Sequence, residues 1–187
     1  MVEKMKIFFT SDTHYNHSKI LLPTYCNRPF SDVEEMNETM IANWNRVVAP
    51  RDRVYHLGDF CFGQPESFLK RLNGYKILIY GNHDRYSQGK AIRSGFREVY
   101  SLKEIKIQGV PLIMCHFPMY SWNKSHRGSL HIHGHIHEKL IAFRWNRYNV
   151  GVDTNNFTPV ESDQLFDIFM QQKEEKELTC DVFYDIM

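Results

Sequence analysis

The chain has 187 residues, 42% hydrophobic and 24% charged, which is ordinary globular usage and enough length to bury a substantial core. Its net charge is +1 with histidines neutral, so no overall field points to nucleic acid or an anionic membrane, although a local basic patch stays open. No apolar run approaches the roughly 20 residues that cross a bilayer, and the one in MVEKMKIFFTSD is too short for a signal-peptide core. Four cysteines stand far apart with no CxxC pair, so the expectation is a cytoplasmic protein with reduced thiols. Ten histidines are the unusual count.

In chain order, the first predicted element is a strand in KIFFTSDTH, which runs out into Asp12 and His14. A helix follows over about 31–48. Ser31 and Glu34 read as its capping box, and Pro50 as its stop. Val33, Met36, Met40, Trp44 and Val47 recur at three- and four-residue steps and give it an apolar stripe. The strand in RVYHLGDF ends at Gly58-Asp59, and a weak helix is predicted over 65–72. The strand in YKILIYGNHD ends at Gly81 to Asp84, with a second weak helix over 85–95. Further strands are predicted in PLIMCHFP, SLHIHGHIH and RYNVGVDTNN. An amphipathic helix over 161–177 is entered through Pro159, its KEEKE run a solvated face, and LTCDVFYDIM reads as an edge strand or docked tail. Short runs of Ile, Leu, Val, Phe and Tyr fit sheets covered on both faces. With no repeat, low-complexity stretch or linker, one α/β domain over 1–187 is expected.

In open α/β sheets, sites form beyond the carboxyl ends of strands, and five strand ends here carry Asp, Asn or His. Asp12 and His14 can face one cation, and Asp59 presents two oxygens that could join two. Asn82 offers a carbonyl oxygen, and His116 an imidazole. LHIHGHIHEK places His131, His133, His135 and His137 at every second position, with Gly134 able to bend the backbone between the pairs. Mixed nitrogen and oxygen ligands suit Mn, Fe, Zn, Ni or Co better than Ca or Mg, and the lack of thiolates argues against a structural zinc finger. Taken singly, each residue could equally be a capped turn or a satisfied polar group.

The ordered series D-T-H (12–14), G-D (58–59), G-N-H-D (81–84), His116 and G-H-I-H (134–137) resembles the calcineurin-like metallophosphoesterases. The resemblance spans about two-thirds of the chain, and VGVD (150–153) is similar to the strand that follows in small bacterial and phage members. Cys115 stands where many relatives carry glycine. The resemblance implies a four-layer αββα sandwich of two mixed sheets flanked by helices. It assigns Asp12, His14 and His137 to a first metal, Asn82, His116 and His135 to a second, and Asp59 to both. It sets His83 against the substrate phosphate and leaving group, with Asp84 orienting the imidazole.

Two divalent transition-metal ions, manganese favoured, would then deprotonate a bridging water that attacks phosphorus. The expected activity is that of a phosphodiesterase or nucleotide phosphoesterase acting on a small phosphate ester. The alternatives are a non-catalytic metal-binding scaffold with the same fold and a nuclease acting on nucleic-acid ends. The near-neutral charge lacks the basic footprint of tight backbone binding. His56, His131 and His133 are expected inside strands, with His133 a possible support behind the ligands, and His17 and Asn16 beside the cleft. Arg28, Arg85, His126 and Arg127 are candidates for gripping a phosphate oxygen or a base, and Tyr120 and Trp122 for stacking on a base or covering the core.

Overall fold

The computed structural model describes residues 4–139, 141, 142 and 144–184, with side chains in the last helix as far as Glu175. Two mixed sheets form the centre. In the first, strands β1 (Ile7–Thr10), β2 (Arg53–His56), β3 (Tyr75–Ile79) and β4 (Glu98–Tyr100) run parallel. The short β9 (Val160–Glu161) pairs antiparallel with β1. In the second, β5 (Leu102–Ile107) pairs antiparallel with β6 (Val110–Cys115), and β6, β7 (Leu130–His133) and β8 (Arg147–Asn149) are parallel. Every predicted strand before residue 150 is found.

The inner faces of the sheets meet in one apolar cluster. Phe9, Tyr55, Leu57, Ile77 and Ile79 of the first sheet pack toward Leu112, Met114, Leu130 and Ile132 of the second. A second cluster lies where helices cover the first sheet, built from Phe8, Val54 and Leu78 against Met36, Met40 and Trp44 of α1 (Val33–Val47). The helices α2 (Glu66–Leu69) and α3 (Gln88–Ser94) add Phe68, Leu69 and Ala91 to it. At the β9 edge, α4 (Ser162–Tyr184) inserts Leu165 and Phe169 into the inter-sheet cluster. The layers are those of two mixed sheets flanked by helices, as the resemblance implied.

Several local expectations are corrected. Asp32, not Ser31, caps α1, its Oδ1 accepting from Glu35 N at 2.8 Å. Glu35 reaches back to Ser31 N at 2.7 Å, so the reciprocal cap exists one residue later than the S-x-x-E spacing suggests. The strands β4 and β5 were not foreseen. The turn that joins β5 to β6 passes through Gln108 and Gly109, both with positive φ, and glutamine is not among the usual residues of such turns. Of the two readings of LTCDVFYDIM, the edge strand is overturned, because α4 continues through Tyr184. Residues 185–187 of that stretch lie outside the described residues.

Trp44 is 1% exposed and its Nε1 donates to Asn73 O at 3.0 Å. Trp44→Ala is expected to lower the unfolding free energy by about 3–5 kcal/mol, read from urea denaturation. A loss under about 1 kcal/mol would show that α1 is not anchored there.

Candidate metal centre

Parallel pairing in both sheets brings the carboxyl ends of β1, β2, β3, β6 and β7 to one edge of the molecule. Backbone pairing outlasts the strands: Asp12 N donates to Gly58 O at 2.9 Å and His14 N to Asp59 O at 3.0 Å. The loops then turn sharply. Asp12 (φ 57°), His14 (48°), Asp59 (57°), His135 (70°) and His137 (50°) all adopt the left-handed backbone that residues with a Cβ rarely enter. Gly58 at φ 92° makes the β2 turn possible, and a Cβ there would press on the Gly81 backbone and come within 2.9 Å of His116 Nδ1. Gly134 lies so close to the Ser11 and Asp12 side chains that no Cβ would fit.

Two groups of potential ligands result. Asp12, His14 and His137 bring one ligand atom each to within 4.8 Å of one another, and so do Asp59, His116 and His135. Asp59 joins the groups: its Oδ2 lies 3.6 Å from His14 Nε2 and 3.5 Å from His116 Nε2. The Asn82 side-chain oxygen is 3.0 Å from His116 Nε2, which places it with the second group. Asp12 Oδ1 and both ring nitrogens of His14 are buried with no hydrogen-bond partner among the described residues. Such orphaned atoms are costly unless something occupies the space between them. Burial also holds the His14 imidazole well below its usual pKa, leaving it neutral as a ligand must be. A divalent cation accepting mixed nitrogen and oxygen donors fits this arrangement.

Supporting contacts fix these groups. His135 N donates to Asp12 Oδ2 at 2.9 Å, and His83 N to Asp59 Oδ1 at 2.8 Å. His137 Nδ1 bonds Asp153 Oδ2 at 2.7 Å. Burial opposes both charges, yet this bond pushes His137 up to about 10, while His137 and Arg28 hold Asp153 down to about 2. Cys26 converges on the same two residues. Asp153 is already matched there by Arg28, whose Nε and Nη2 lie 2.7 and 3.0 Å from its oxygens. This third group is therefore a closed ion pair rather than a place waiting for a cation. The sequence marks VGVD only as a strand, whereas Val152–Thr154 forms a 3-10 turn; Asp153, an acid just past β8, obeys the same strand-end rule and is a site residue the sequence reading lacks.

Two predicted roles are corrected. Asp84 does not orient His83. Its Oδ2 accepts from Asp59 N (2.8 Å) and Gly81 N (2.9 Å), and its Oδ1 from Phe60 N and the Tyr86 hydroxyl (both 3.0 Å). Burial raises its pKa, partly countered by those amides. Arg28 does not face a substrate: it is 3% exposed, and its guanidinium also donates to Thr13 O (2.9 Å) and Asp12 O (2.6 Å).

The remaining candidates separate by exposure. His83 keeps 39% of its side chain exposed, with Nε2 4.0 Å from Asp59 Oδ2. His17 stacks on Phe62, ring centroids 4.0 Å apart, and Asn16 pairs with Asn37 of α1. His56, His131 and His133 are buried, and burial drives them to about 3, 4 and 3. His56 bonds Thr13 Oγ1 at 3.0 Å, and His131 accepts from Met119 N at 3.1 Å. Trp122 covers His131, its ring 5.0 Å away, so it does not stack on a substrate. Tyr120 is 85% exposed beneath Arg144. Arg85 is an exposed loop residue, and His126 and Arg127 are exposed on the 3-10 turn Ser125–Arg127.

Residues 5–150 match the calcineurin-like phosphoesterase superfamily domain. An uncharacterised protein of Methanocaldococcus jannaschii is 35% identical over 179 residues, covering 90% of this chain and 93% of its own. The Gene 66 protein of Mycobacterium phage L5 is 26% identical over 203 residues, covering 90% of this chain and 96% of its own. A crystal structure of a protein of unknown function from Aquifex aeolicus is 25% identical, with a TM-score of 0.70 over 88% of this chain and 100% of the other.

An Asp84→Asn substitution turns an amide NH₂ toward backbone donors. It is expected to lower unfolding free energy by about 1–3 kcal/mol and to weaken divalent-cation binding measured by calorimetry. Unchanged stability and cation affinity with reduced turnover would return Asp84 to His83.

Proposed function

The chain belongs to the calcineurin-like phosphoesterase superfamily and is a phosphoric ester hydrolase, and from that premise we propose that it cleaves phosphodiesters with the help of two divalent cations. The supporting observation is the position of Asp59 Oδ2, 3.6 Å from His14 Nε2 and 3.5 Å from His116 Nε2, between two separate ligand groups. Asp12, His14 and His137 would hold one ion, Asn82, His116 and His135 the other, and Asp59 both. Bound there, two transition-metal ions, manganese preferred, supply Lewis-acid activation of water and neutralise charge on the phosphoryl oxygens.

The protein's own groups do the rest. Asp153 accepts from His137 Nδ1 and fixes the ring, so that a cation would bind at Nε2 by displacing the second proton that the raised pKa otherwise keeps there. Asp84 fixes the backbone of Asp59 and Gly81, so that the carboxylate and the His83 loop keep a constant separation. His83, tied through its amide to Asp59 Oδ1 and open to solvent at its ring, is placed to protonate the departing alkoxide. A non-catalytic scaffold would have no use for an exposed imidazole at this point. No described helix is long and apolar enough to cross a membrane, and Cys26, Cys61 and Cys115 are free thiols, which favours a reducing cytoplasmic setting.

Hydrolysis of bis-p-nitrophenyl phosphate is expected to vanish on chelation and return with Mn²⁺. With a dialkyl phosphodiester, whose alkoxide leaving group needs a proton, His83→Ala should retain bound metal while kcat falls about 10²–10⁴-fold. Turnover insensitive to chelator, or undiminished in the His83 variant, would contradict this reading.

A further inference from the structure

Phe62 and Phe117 each follow a ligand loop, Phe62 three residues after Asp59 and Phe117 directly after His116. Both stay on the surface, 37% and 45% exposed. The Phe62 ring stacks on His17 at 4.0 Å and 20°, and lies 5.6 Å from the His83 ring and 5.9 Å from the His14 ring. Tyr25, 55% exposed, extends this wall edge-on to His17 at 6.0 Å. On the other side, Phe117 stands edge-on to His116 at 5.0 Å and to His135 at 4.7 Å. Each ligand group therefore has one exposed aromatic ring at its rim. A lone surface phenylalanine needs no explanation, but a pair whose neighbours are these histidines does.

Resting on the phosphodiesterase reading above, we propose that Phe62 and Phe117 are stacking platforms on either side of the phosphate position. The substrate class is then a short single-stranded nucleoside phosphodiester that lays one base on each ring. A charged phosphate gains nothing from a phenyl edge, whereas every nucleobase presents a flat π-face that stacks without regard to sequence. The net charge of +1 supplies no overall field for a long polyanion, and two platforms accommodate two bases, which favours a short strand over a duplex. In the reaction, water oxygen forms the new bond to phosphorus as one ester P–O bond breaks. The products are a nucleotide monoester and a nucleoside alcohol, and one water proton ends on the leaving oxygen.

The test compares kcat/KM for thymidylyl-(3′→5′)-thymidine with that for dimethyl phosphate, a diester with no ring, both followed by phosphorus NMR. Phe62→Leu and Phe117→Leu should each lower the dinucleotide-to-methyl ratio about tenfold, the loss expected when one base loses its platform. Phe62→Tyr and Phe117→Tyr, which keep a ring, should restore it. Tyr75→Leu, an exposed ring at the start of β3, serves as the control and should leave the ratio unchanged. Ratios within about twofold of wild type in both leucine variants would overturn the proposal, because stacking is worth more than that. So would hydrolysis of the methyl ester without any of the dinucleotide, and in both cases the phosphodiesterase reading would stand. Hydrolysis of neither ester with any metal would remove that reading and this inference with it.

Discussion

Asp59 occupies the point where two strand-end loops touch, and the rest of the site depends on that contact. Its carboxylate can lie between His14 and His116 only because Gly58 lets the β2 loop fold back against Gly81. Around it, Asp12, His14, His135 and His137 share the left-handed backbone. A residue with a Cβ in that conformation costs about 1–2 kcal/mol, and such residues gather where the surrounding structure over-determines them. Here the over-determination is visible. Asp84 accepts backbone amides from both loops, and Arg28 binds the Asp12 and Thr13 carbonyls, so neither turn can relax alone.

Charge follows the same logic. The first ligand group is poor in hydrogen bonds toward its centre, with Asp12 Oδ1 and the His14 ring unpartnered and buried among the described residues. The side facing away is saturated, as the chain from His137 through Asp153 to Arg28 shows. Donors left bare toward one point and fully satisfied behind it are what a cation-binding cluster requires, since ligands must be held in place without being neutralised by the protein itself. A purely structural polar cluster would close its own hydrogen bonds instead.

Much of this was legible in the sequence because strand ends are marked twice, by the end of an apolar run and by the glycine that lets the chain turn. Asp59, Asn82, His135 and His137 could be found by that rule, whereas His116, after Cys115, is marked only by the end of its apolar run. What it could not reveal was partnership across sequence distance. Asp84 resembles an imidazole partner by adjacency, yet its oxygens accept from Asp59 N and Phe60 N of the β2 loop as well as from Gly81 N and the Tyr86 hydroxyl. Arg28 looks like a surface phosphate grip until Asp153, 125 residues later, folds beside it.

The central claim is that two cations share the Asp59 carboxylate. Anomalous diffraction from crystals grown with Mn²⁺ tests it directly. Two peaks about 3.5–4 Å apart, one beside Asp12, His14 and His137 and the other beside Asn82, His116 and His135, are the predicted result. A single peak, or a pair of which Asp59 touches only one, would contradict the account.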